Sequence, residues 1–185
     1  KSQTVWYSLS GPDLVLEYRA ETDQPTIVNL TTHPFFNLNG FNRDIMAHEL
    51  RMAADAYTPV DATLLPTGEI AKVAGTPLDF TAAKAIGRDF AAMPGGYDHN
   101  FVFAPNAGEW QVEAYDPDSG RTMAMATDQP CTQFYRGNFL DGPDVGTGGA
   151  VYKKHFAFCM EAPKLPDPAH NPTSASIVVR PCEVY

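Results

Sequence analysis

Sixteen prolines and fourteen glycines are spread through all 185 residues, and they leave little room for a long helix. Proline removes a backbone donor and fixes φ, and glycine marks turns and bulges. Between these breaks the apolar residues alternate with polar ones. Many short strands joined by turns fit that pattern, so the expected fold class is all-β. Thr4 to Ser10 and Asp13 to Ala20, split by Gly11-Pro12, read as a hairpin, with Leu14, Leu16 and Tyr18 as the inner side of a half-buried strand. Glu109 to Tyr115 and Arg121 to Thr127 read as a second hairpin around Asp116-Pro117-Asp118-Ser119-Gly120. Pro25 to His33, Ala47 to Asp55, Tyr97 to Phe103, Thr132 to Tyr135, His155 to Glu161 and Ser176 to Val179 read as further strands. Helical turns are expected only at Ala82 to Ala85, within Thr81 to Phe90. A glycine-rich loop spans Asn138 to Gly149, and a proline-rich tail spans Pro163 to Pro172.

Strand alternation selects the polar side chains that share a face. His33 lies opposite Val28 and Leu30, Asp98 and Asn100 lie opposite His99, Phe101 and Phe103, and Gln133 and Tyr135 lie opposite Phe134. His155, Ala157, Cys159 and Glu161 lie opposite Phe156, Phe158 and Met160. Antiparallel sheets are often wet on one side, so the plain reading of each is a solvated strand position. Their chemistry permits more. An imidazole and a carboxylate on one surface are a general acid and a general base when the fold brings them close. Asp and Gln hold hydroxyl groups at fixed angles. Pro34 follows His33, biases it towards extended geometry and ends the regular strand there. His48 reads as structural and His99 as a near-core histidine.

Composition narrows the partners. A net charge of −9 argues against nucleic acid and against an anionic membrane surface, and it suits a neutral small molecule. No apolar run reaches the ~18 residues of a membrane helix. With 44% hydrophobic residues the chain has enough for one domain, 1–185, with a real core. Cys131, Cys159 and Cys182 are not spaced as metal ligands and read as reduced thiols of a cytoplasmic protein. No metal site, Gly-rich phosphate loop or nucleophile elbow stands out, so no cofactor is expected. The chain begins at Lys1 without an initiator Met, and residues upstream are expected.

Four segments together resemble the aldose 1-epimerase (galactose mutarotase) family. They are Val28 to Leu38 with its Thr-Thr-His-Pro-Phe-Phe-Asn, Gly96 to Phe101, Gln133 to Leu140, and Cys159-Met160-Glu161. Asp55 to Pro59, Pro66 to Ile70, Gly75 to Phe80 and the ending from Pro166 to Pro181 fit as well, so the likeness runs over nearly the whole chain. The resemblance implies a large antiparallel β-sandwich with a sugar site on its concave face, and exchange of the α and β anomers of free galactose or glucose without a cofactor. It implies Glu161 as base on the anomeric hydroxyl, His33 as acid on the ring oxygen, and Asp98 and Gln133 as holders of sugar hydroxyls. Thr32 stands where the family usually has Asn, and Ala162-Pro163 where it usually has Thr-Gln. The family's N-terminal portion, with an arginine and a second histidine that line the site, has no counterpart here. The resemblance thus covers the C-terminal two-thirds or so of the family's length, with association to an N-terminal portion expected. Three other readings remain at this stage: a catalytically silent carbohydrate-binding domain, an enzyme for phosphorylated hexoses, and a glycoside hydrolase built on Asp98 and Glu161.

Overall fold

The structure is a computed structural model that describes residues 1–142, 145–165 and 177–185. Part of the glycine-rich loop, most of the proline-rich tail and Ser176 lie outside the described residues. Among the described residues there are thirteen strands, every pairing is antiparallel, and the only helical pieces are 3₁₀ turns at Phe90–Ala92 and Thr147–Gly149. The chain divides into two compact units.

The first unit holds residues 1–31 and the described residues 177–185. Strands β1 (Ser2–Ser10) and β2 (Asp13–Glu21) pair along their whole length, from Ser2 opposite Glu21 to Ser10 opposite Asp13. Gly11 has φ +60°, the positive value that the first central position of a two-residue type II′ loop requires, and the fixed φ of Pro12 is compatible with the second. Burial departs from expectation. Only the far end of β2 is covered, where Leu16 and Tyr18 are half-buried and Ala20 is buried, whereas Leu14 and all of β1 are exposed. Ala20 belongs to a small cluster with Val28 and Val179. The ladder of the Pro25 to His33 run is short: β3 (Thr26–Ile27) pairs with β13 (Val178–Val179), and just beyond it the Val28 N–H donates to the Ile177 carbonyl at 2.8 Å.

The second unit, residues 32–165 among those described, is a two-sheet sandwich. The Ala47 to Asp55 run splits at Ala53 into β4 (Glu49–Met52) and β5 (Ala54–Thr58), which lie in different sheets. After β6 (Ala71–Lys72) and β7 (Lys84–Ala85) come β8 (Asp98–Phe103), β9 (Val112–Tyr115) and β10 (Thr122–Met125). The last two strands are β11 (Cys131–Tyr135) and β12 (Cys159–Glu161). One sheet has the order β10-β9-β4-β7 and the other β12-β11-β8-β5-β6. Their facing side chains merge into one core: Leu50, Met52, Val112 and Ala114 from the first, Ala54, Phe101, Phe134 and Met160 from the second. Phe80 meets Tyr97 and Phe134 edge-on at ring-centroid distances of 5.3 and 5.8 Å. Tyr97 stacks on Phe134.

The expected helical turns at Ala82 to Ala85 are absent. Lys84 and Ala85 instead pair with Leu50 and Glu49. Four helix-favouring residues are too few to nucleate a helix against a tertiary ladder. Lys84 is buried there because Nζ donates to the Pro77 carbonyl and to Asp89, and its ammonium lies over the Phe80 ring. The His155 to Glu161 strand is also shorter than expected, since His155 has φ +64° and the ladder begins only at Cys159.

Candidate active site

The ladder of β12, β11 and β8 sets which side chains meet. Gln133 lies opposite both Glu161 and Asn100, and Tyr135 lies opposite both Cys159 and Asp98. Directly paired residues project to the same side of a sheet. Asp98, Asn100, Gln133, Tyr135, Cys159 and Glu161 therefore share one face, while Phe101, Phe134 and Met160 enter the core from the other. The positive φ of Gly96 lets the chain turn tightly into β8. A Cβ there would come within 1.8 Å of Asn138, whose amide donates to the Tyr97 carbonyl.

His33 reaches this face from a segment that, among the described residues, joins no strand. Pro34 has no N–H to give a ladder, and the segment is tied down three residues on, where Phe36 and Phe158 exchange backbone bonds of 2.8 and 3.0 Å. The imidazole then lies over β12. Its Nε2 is 3.3 Å from Glu161 Oε1, and its Nδ1 is 3.3 Å from the sulfur of Cys159. Phe35 and Tyr135 flank the ring at centroid distances of 5.0 and 6.1 Å. The His33 side chain remains 48% exposed and that of Glu161 only 16%, so the pair opens outward on its histidine side. Beside them Gln133 donates from Nε2 to Asp98 Oδ1 at 2.7 Å. All four residues singled out from the sequence thus stand on one surface.

Electrostatics separates them. Burial pushes the Glu161 carboxyl above its ordinary pKa, the His33 imidazole pulls it back, and the Asp98 carboxylate adds to the rise. Burial also pushes the Cys159 thiol well up, reinforced by Glu161 and Asp98, so it stays protonated. A carboxylate with raised affinity for a proton, touching an imidazole, is equipped for proton transfer near neutral pH. Cys159, Tyr135 and Phe35 are site walls that sequence reasoning did not single out. The parity that placed Cys159 with Glu161 and Tyr135 with Gln133 contained the signal, but cysteine and tyrosine on such a face read equally well as packing.

The other histidines stand apart. His48 is fully buried, accepts the Leu38 N–H on Nε2 at 3.0 Å and faces Asp116 from Nδ1 at 3.6 Å; burial lowers its pKa. It braces the loop after the Phe36 corner. His99 takes the Asp98 N–H on Nδ1, and burial lowers its pKa too. Among the described residues no group of three or more His, Cys, Asp or Glu has the geometry to hold a metal ion. An open groove of about 380 Å³ lies on the other sheet, beside Trp110 and Tyr115, but its Arg51 and Glu113 pair with each other.

The sequence model of the aldose 1-epimerase family matches residues 2–185. This chain belongs to the aldose 1-epimerase family. A galactose mutarotase from Rattus norvegicus is 44% identical over 186 residues, covering 98% of this chain and 54% of the relative. An aldose 1-epimerase from Escherichia coli is 36% identical over 193 residues, with 98% of this chain and 55% of the relative covered. The crystal structure of an aldose epimerase homologue from C. elegans superposes with a TM-score of 0.89 at 26% identity, covering 98% of this chain and 56% of that one. The chain therefore spans about half the length of the curated relatives it matches, less than the two-thirds expected from the sequence. The antiparallel all-β sandwich is the family's fold. No helix of the described residues is long and apolar enough to cross a membrane.

Proposed function

We propose that the protein interconverts the α and β anomers of a free hexose, galactose or glucose, with Glu161 as general base and His33 as general acid. The observation that carries this reading is the 3.3 Å contact between His33 Nε2 and Glu161 Oε1 on a shared face. Mutarotation demands such adjacency. The anomeric hydroxyl oxygen and the ring oxygen are both bonded to C1, so the group that removes one proton and the group that supplies the other must be neighbours. Glu161 takes the proton of the anomeric hydroxyl, and the C1–ring oxygen bond breaks with its electrons going to the ring oxygen. His33 protonates that oxygen. The aldehyde turns about the C1–C2 bond, and closure on its other face returns both protons. Asp98 and Gln133, already bonded to each other, hold neighbouring hydroxyls while C1 turns.

The names carried by the relatives support this choice of substrate and reaction. We place the protein in the cytoplasm, in keeping with three cysteines that are all free. Polarimetry on freshly dissolved α-galactose tests the function. The protein is expected to speed the decay to equilibrium over a buffer blank. Glu161→Gln and His33→Asn should each lower turnover by roughly 10²–10⁴-fold, the usual worth of a general acid or base, while sugar binding persists. Sugar binding by the wild type without acceleration sinks the enzyme reading in favour of a silent binding domain. Wild-type turnover in either variant removes that residue from its role.

A further inference from the structure

The thiol of Cys159 touches the proposed acid, and no step above uses it. Residues i and i+2 of a strand project to the same face, so the three-residue strand β12 presents Cys159 and Glu161 side by side. Their spacing matches the width of an imidazole. Sulfur stands 3.3 Å from Nδ1 and the carboxylate 3.3 Å from Nε2 of the same ring. Among the described residues no strand pairs with His33 to orient it. We propose that Cys159 is a positioning residue for His33, its sulfur receiving the Nδ1–H and so reserving Nε2 as the nitrogen that gives and takes the proton. This inference rests on the acid–base reading of the site.

The requirement comes from the neutral ring. When the imidazolium gives its Nε2 proton to the ring oxygen, the proton left on the ring must sit on Nδ1. Nε2 is then a lone pair, able to recover the proton when the sugar closes. An unheld neutral imidazole can instead place its proton on Nε2, where Glu161 accepts it, and that tautomer has no lone pair facing the sugar. A hydrogen bond at Nδ1 decides between the two. Two carboxylates already act on this cluster, Glu161 from β12 and Asp98 from β8, and the Phe35 and Tyr135 rings flank the imidazole. A third anion at Nδ1 would bind the imidazolium too firmly for it to part with a proton. A thiol, kept neutral by burial and by those carboxylates, accepts the bond weakly and adds no charge.

The test compares the protein with Cys159→Ala and Cys159→Ser, using ¹⁵N NMR of the His33 ring to read the tautomer above neutral pH, and polarimetry to read kcat and KM. Cys159→Ala should move the neutral ring towards the Nε2–H tautomer and lower kcat roughly 10-fold, the low end for groups that fix the far nitrogen of a functional histidine, with KM little changed. Cys159→Ser, which restores an acceptor, should recover the Nδ1–H tautomer and most of the rate. An unchanged tautomer in Cys159→Ala overturns the proposal, as does a serine variant that behaves like alanine at equal thermal stability. Failure of the acid–base reading looks different. In that case the wild type accelerates nothing, yet the alanine substitution still moves the tautomer.

Discussion

The β1–β2 hairpin and the β8–β11–β12 face carry the same kind of sequence pattern and have opposite fates. The hairpin has nine paired positions and a glycine-proline turn, yet Leu9 is 81% exposed and Leu14 53%. β12 has only three residues in its ladder, yet Cys159 is fully buried and Met160 nearly so, on opposite faces. Alternation forms a strand because side chains leave it on alternate sides. Whether either side becomes a core depends on what lies across from it. Within the sandwich a second sheet lies across one face of β12, and the His33 segment covers Cys159 on the other.

Substitutions can break this contrast. Phe134→Ala empties the centre of the sandwich, where Phe80, Tyr97, Phe101 and Phe158 meet its ring, and should cost about 3–5 kcal/mol in denaturant unfolding. A cost under about 1 kcal/mol would mean that the two sheets do not share one core.

A smaller effect of opposite sign is expected at Glu161. Its folded pKa lies above the ordinary 4.5, chiefly through burial, so the carboxylate form is disfavoured by folding. Its contribution to stability is complete below that ordinary value and is lost as pH rises through the folded value. Glu161→Gln should therefore gain on the order of a degree or two in Tm at neutral pH, and the gain should vanish in melts run below pH 4.5. A loss at neutral pH would show that the contact with His33 outweighs the burial of the charge.

The smallest effect belongs to the hairpin. Leu9→Ser should change unfolding free energy by less than about 0.5 kcal/mol, because the side chain it shortens is already in water. A larger loss would show that the hairpin's apolar side chains are covered in solution.

What the sequence determined by itself is local or cumulative. Proline, glycine and alternation specify short strands and their turns, because backbone freedom and side-chain direction are properties of each residue and its neighbours. The shared faces of Gln133 with Tyr135 and of Cys159 with Glu161 follow from parity alone. The ordered segments that mark the family are likewise legible without coordinates.

Only the tertiary structure decided the rest. It put Lys84 and Ala85 in a ladder rather than a helical turn, because Leu50 and Glu49 were there to pair with them. It drew His33 off its expected strand and over β12, because the bridge between Phe36 and the distant Phe158 holds its segment there. It raised the affinity of Glu161 for a proton and set Cys159 against the far nitrogen of His33. Burial and contact between distant residues belong to no local stretch of chain, and they bring His33, Asp98, Gln133 and Glu161 onto one surface.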